Sequence, residues 1–161
     1  MAAFLLTLPM QADAADCRDH DFTWSDTQPA INLRHVFCGE LDNGRPKGLH
    51  SAQLVATSPV VRGIERPREE TGGIYSATVR FANGRSKLST FFPNHCSFDA
   101  IVRSIVHAAQ QPFGRHRAWG ELGPSAPGAG AIGYCLDDRG APLTIRFGRT
   151  HAGRINTAFP N

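Results

Sequence analysis

Ile74-Tyr-Ser-Ala-Thr-Val-Arg-Phe81, the pair Asn83-Gly84, and Arg85-Ser-Lys-Leu-Ser-Thr-Phe-Phe92 stand just before Ser97 and an apolar stripe of Phe98, Ile101, Val102, Ile105 and Val106. The first run alternates β-formers with polar residues. Asn-Gly tolerates the positive φ of a tight hairpin turn, so residues 74–92 read as two antiparallel strands. The stripe has i, i+3, i+4, i+7, i+8 spacing and a serine placed as N-cap, which predicts a helix from Phe98 to about Gln111, ended by Pro112. Strand pairs around one clear helix argue an α+β domain of antiparallel sheets with few helices.

Upstream, Ile31–Phe37 reads as a short helix-to-strand lead-in, and Val36–Leu49 as a strand, a tight turn at Asp42-Asn-Gly44 and a basic glycine loop. The charged segment Arg62–Gly73 reads as an exposed connector. Downstream, Gly120–Gly133 is rich in Gly and Pro and reads as a loop. Three short β-like runs close the chain: Ile132–Leu136, Leu143–Phe147 and Ile155–Phe159. No internal repeat is visible.

A chain of 161 residues with 41% hydrophobic content can fill one core. Seventeen Lys and Arg against fourteen Asp and Glu give a net charge of +3, compatible with a polyanionic partner without requiring one. Residues 1–14 combine a short apolar run with Ala12-Asp-Ala14, the small-x-small pattern of an export signal, although no basic residue precedes the run. Residues 15–30 form a polar lead-in, and residues 31–161 the domain. No stretch reaches the about 20 apolar residues of a membrane helix, so no membrane partner is expected. Cys17, Cys38, Cys96 and Cys135 allow two disulfides with three connectivities, all open from sequence, or buried free thiols. None of their spacings suits a structural zinc site.

His35 and His50 lie fifteen positions apart across the glycine loop. Imidazole titrates near neutral pH, so two of them could take and give a proton in one displacement, as cleavage of a phosphodiester in RNA requires. The lesser alternative for each is an ordinary strand histidine with a satisfied ring. A metal site on this pair has only Glu40 and Cys38 nearby and ranks last, so no metal or cofactor is expected.

Three ordered blocks resemble the bacterial EndoU nuclease family: Ile31–Glu40 with Gly48-Leu-His50, Lys87–Pro93 leading into the helix, and Ile155–Pro160. The resemblance runs from Ile31 to the C-terminus. It implies a fold akin to that of ribonuclease A, a His-His-Lys site, and metal-independent RNA cleavage to a 2′,3′-cyclic phosphate. Onto this sequence it places His50 as base and His35 as acid, with the two labels exchangeable, and Lys87 as the charge facing the phosphorane. Thr90, Thr157 and Phe159 become substrate contacts. Phe159 stands where the family usually has an aromatic, often tyrosine. It keeps stacking and loses a hydroxyl, so a uridine preference does not carry over. Another departure is Ser51-Ala-Gln53 after His50, where many members carry a further basic residue. The family habit implies RNA as substrate, transfer RNA among the candidates, and an exported (periplasmic or secreted) bacterial toxin with a cognate immunity protein. The rival expectation is an exported module that binds RNA or a protein on the same scaffold without catalysis. His20, His95, His107, His116 and His151 receive no role, His107 being expected on the helix surface.

Overall fold

The computed structural model describes residues 15–161; the expected export signal, residues 1–14, lies outside the described residues. Among the described residues nine strands and one long helix build an α+β structure of antiparallel sheets, the class that the hairpin and stripe argue for.

The hairpin forms as read. Strand β4 (Tyr75–Phe81) pairs with β5 (Ser86–Phe91), Ser76 opposite Thr90 and Val79 opposite Lys87. Alternate residues of β4, Tyr75, Ala77, Val79 and Phe81, are buried with Leu49, Val61 and Phe91 in one small apolar cluster. The third strand of this sheet is β3 (Val61–Glu69), and it corrects the reading of Arg62–Gly73 as a connector. Its charges and Pro67 conceal a strand because it is an edge, where half of the backbone groups face water and proline is tolerated. Register breaks between Val61 and Gly63 and between Glu65 and Arg68 accommodate Arg66, whose φ is +51°.

Helix α1 (Phe98–Gln110) begins where the spacing puts it, with the Ser97 hydroxyl accepting from Ala100 N at 3.2 Å. Its apolar face packs on β8 (Thr144–Arg149) in the larger cluster, which also takes in Ile31, Val36, Phe37, Phe147 and Ile155. His107 is half-buried rather than on the open surface, with Nδ1 held 2.9 Å from the Pro124 carbonyl. The second sheet has the order β6 (Gly114–Arg115), β7 (Glu121–Pro124), β8, β9 (Ile155–Pro160). Strand β7 lies inside the segment read as a loop. At four residues, ending on Pro124, it is too short to show an alternation.

Ile132–Leu136 is not a strand. Ile132 is 95% exposed. The backbone of Cys135 bonds to serine hydroxyls instead of a ladder, its N–H to Ser104 at 2.8 Å and its carbonyl to Ser125 at 2.7 Å. Cys135 also closes a disulfide with Cys96, and Cys17 one with Cys38, which settles the open connectivity. Both bridges belong to the larger cluster.

The expected lead-in runs along the edge of the second sheet. Asn32 N donates to the Ile155 carbonyl and Ile155 N to that of Ala30, tying it alongside β9. It then turns through a single π-helical turn, Arg34–Cys38. The strand read from Val36 starts at Glu40 instead: β1 (Glu40–Asp42) pairs with β2 (Arg45–Lys47) around Asn43-Gly44.

Candidate active site

Gly48 brings the two histidine segments together. With φ at +67°, it returns the chain from β2 so that Leu49 N reaches the His35 carbonyl at 2.8 Å and His50 N reaches the Val36 carbonyl at 2.7 Å. A Cβ on Gly48 would stand 2.1 Å from the His35 oxygen, so only glycine permits this approach. On its other side the His50 carbonyl accepts from Phe92 N at 2.9 Å, which anchors it to the end of β5. Fifteen positions of sequence thereby become a ring-to-ring distance of 5.9 Å.

Both imidazoles are largely buried, His35 at 8% and His50 at 7% exposure, and each has one nitrogen pinned. His35 Nδ1 lies 2.9 Å from Glu40 Oε2, and His50 Nδ1 lies 2.9 Å from the Thr90 carbonyl. A carboxylate and a carbonyl can only accept, so each Nδ1 carries its hydrogen and each Nε2 is left with a lone pair or a second proton to offer. Among the described residues no protein hydrogen bond engages either Nε2.

The electrostatics of the two rings differ. Burial pushes the His50 pKa well below the ordinary histidine value, the charges of Lys87 and His35 push the same way, and the bond to Thr90 offsets only part. His50 is therefore neutral at neutral pH. Beside His35, burial works to raise the pKa of the Glu40 carboxyl. The hydrogen bond and charge of His35, the Asn32 amide and Lys47 outweigh it, and Glu40 sits below the usual carboxylate range as an anion.

Lys87 projects from β5 into the same cleft, where its ammonium donates to the Gly48 carbonyl at 2.9 Å and to the Ser89 hydroxyl. Burial lowers its pKa to about 8, which keeps it mainly charged at neutral pH. The sequence contains only Lys47 as a second lysine, and that one is exposed and paired with Asp42.

The cleft holds about 400 Å³ and unites every residue expected at the site: His35, His50, Lys87, Thr90, Thr157 and Phe159. Thr157 and Phe159 come from β9, Lys87 and Thr90 from β5, so the site opens at the junction of the sheets. Phe159 lies on His50, centroids 4.9 Å apart and planes 25° apart. Three neighbours stand outside the expected set. Glu40 enters the sequence reading only as a metal ligand, although a carboxylate five residues after a histidine at the start of a hairpin is a legible signal for an orienting partner. Trp119 and Arg146 carry no such signal: the indole lines the cleft from a loop, and Arg146, on β8, lies against that indole. Among the described residues no three His, Cys, Asp or Glu side chains come close enough together to hold a metal ion, and no helix is long and apolar enough to cross a membrane.

The arrangement offers a neutral imidazole, a second imidazole with a carboxylate behind it, and a cation on one wall. That is equipment for moving protons at both ends of a displacement while stabilising negative charge between them. The family model described as bacterial EndoU nuclease matches residues 30–161, most of the chain. No curated protein and no solved structure matches it.

Proposed function

The chain belongs to the bacterial EndoU nuclease family, and on that premise we propose that it is an endoribonuclease working by transphosphorylation. His50 Nε2 takes the proton from a ribose 2′-OH, the 2′-oxygen attacks the adjacent phosphorus, and the bond to the 5′-oxygen breaks as His35 Nε2 protonates it. The products are a 2′,3′-cyclic phosphate and a 5′-hydroxyl. RNA brings its own nucleophile, so acid, base and charge stabilisation suffice, and no metal or cofactor enters the scheme. Lys87 faces the non-bridging oxygens of the phosphorane as a compact cation. Thr90 and Thr157 stand on the side of the cleft along which the nucleoside lies, and Phe159 packs on the His50 ring beside them.

One observation carries this reading: two imidazoles with pinned Nδ1 and open Nε2, 5.9 Å apart on a cleft that also holds a half-buried lysine. Their unequal surroundings support the order of roles, because a base must start neutral and His50 is the ring that burial keeps so. The two disulfides suit an oxidising compartment. With family habit they support an exported bacterial protein acting as an antibacterial toxin on RNA of another cell, transfer RNA included, and held in check by a cognate immunity protein.

The test incubates purified protein with a mixed RNA pool in EDTA beside the His50→Ala variant, and maps the 3′ ends of the fragments. Cyclic phosphates from wild type alone are expected. Fragments with 5′-phosphates would replace the mechanism with a metal-dependent one. Intact RNA that is still bound would leave a binding module on this scaffold.

A further inference from the structure

The aromatic side of the cleft is unevenly built. Phe159 has one face against the His50 ring, 4.9 Å between centroids. Trp119, in the turn between β6 and β7, lines the same cleft, stands edge-on to Phe159 at 5.8 Å and 62°, and remains 45% exposed.

Trp119 is nevertheless held in place. The guanidinium carbon of Arg146 lies 3.9 Å from the centroid of its ring, and Arg146 Nε donates to the Trp119 carbonyl at 2.9 Å. One buried cation thus supports both the indole and its backbone. One of its amino groups, Nη2, is buried without a hydrogen-bond partner, so the guanidinium is kept there despite an unmet polar demand. Gly148, two residues on and on the same face of β8, completes the seat: a Cβ there would lie 3.2 Å from Cζ3 of the indole. Thr157 and Phe159 stand opposite Gly148 and Arg146 in the register, so the four positions share one face of the sheet with the indole over it.

We propose that Trp119 is the platform on which a nucleobase of the RNA stacks, that Arg146 is the residue positioning it, and that Phe159 acts chiefly by holding the His50 ring. The proposal rests on the ribonuclease reading and deepens it. A cation beneath an indole fixes the ring and leaves its other face for a flat partner. Every base has such a face, so a site built this way binds single-stranded RNA with little choice among bases, and any preference must come from hydroxyls such as that of Thr157.

The experiment uses a single-stranded 2′-deoxy oligonucleotide, which lacks the attacking hydroxyl and reports binding without turnover. In a Trp24→Phe background Trp119 is the sole tryptophan, and its fluorescence should be quenched as the oligonucleotide binds. By anisotropy of a labelled strand, Trp119→Ala should weaken binding about tenfold or more, and Trp119→Phe should restore most of it. Arg146→Lys should raise KM with kcat nearly kept. Phe159→Leu should leave affinity within about twofold while lowering kcat and moving the acidic limb of the pH profile, a change that lost packing alone would not produce. Thermal melts of all variants control for folding. Binding without quenching, no binding by wild type, wild-type affinity in Trp119→Ala, or an equal loss in Phe159→Leu would overturn the platform. RNA cleavage with no quenching sinks the platform and spares the nuclease; quenching without cleavage of RNA does the reverse.

Discussion

His35 and His50 present the same ring with the same nitrogen pinned, yet their supports have little in common. His35 sits on a π-helical turn whose last residue, Cys38, is bridged to Cys17; its N–H is capped by the Asn32 side chain at 3.0 Å, and a carboxylate stands behind its ring. His50 sits on a loop held at both edges by backbone hydrogen bonds, has a carbonyl behind its ring, and has its pKa lowered by burial and by the charge of Lys87. The difference teaches that residue type alone does not assign acid and base. The atom hydrogen-bonded to Nδ1 and the nearest charge separate two rings that sequence leaves interchangeable.

The largest effect should come from breaking the pair. His35→Ala and His50→Ala are each expected to lower kcat about 10² to 10⁴-fold with unchanged melting behaviour, read by single-turnover cleavage of a labelled RNA. Full activity in either variant would remove it from the mechanism. Next come the unequal anchors. Removing the Cys17–Cys38 bridge, which spans 21 residues, should cost about 3 kcal/mol of stability, and the Cys96–Cys135 bridge, spanning 39, about 4 kcal/mol. Activity measured well below the melting temperature should nevertheless fall more in Cys17→Ser/Cys38→Ser, because that bridge ends on the turn bearing His35. If the other pair lost more activity, the two histidines would not be differently supported.

A smaller loss sharpens the contrast in partners. Glu40→Gln keeps an acceptor for His35 Nδ1 but removes its charge, and should reduce kcat about 10- to 100-fold. An unaffected rate would mean that the carboxylate only orients the ring. The smallest effect is one of titration. His50 has its pKa lowered in the folded protein relative to the unfolded chain. As pH falls below the ordinary histidine value the unfolded chain binds the proton first, so this group's contribution to stability is present above that value and is lost on acidification. An NMR titration of the His50 ring should give a midpoint well below 6.5, and Lys87→Ala should raise it; a midpoint at or above 6.5 would return the base assignment to His35.

What the sequence discloses follows from how local each signal is. The Tyr75–Phe91 hairpin and helix α1 depend on alternation, Asn83-Gly84 and a Ser97 cap, all readable within a few residues. The edge strand Val61–Glu69 pairs with the next strand but carries the charges and Pro67 that an edge tolerates, so it hides as a loop; the Cys135 segment depends on the distant Ser104 and Cys96, so it imitates a strand. The site divides the same way. His35, His50, Lys87, Thr90, Thr157 and Phe159 are visible through three ordered blocks and prove to share one cleft. Trp119 reaches it only because Arg146 and Gly148, almost thirty residues later, form its seat.

Gly48 suggests how such a protein can change occupation. The spacing of the two rings depends on a backbone approach that a single methyl group would forbid. One nucleotide change replacing that glycine would leave every reacting side chain in the sequence, along with the basic hairpin and aromatic wall, yet take the imidazoles out of register. A lineage could in this way lose turnover in one step while keeping its hold on nucleic acid, and an inventory of catalytic residues would still describe an enzyme.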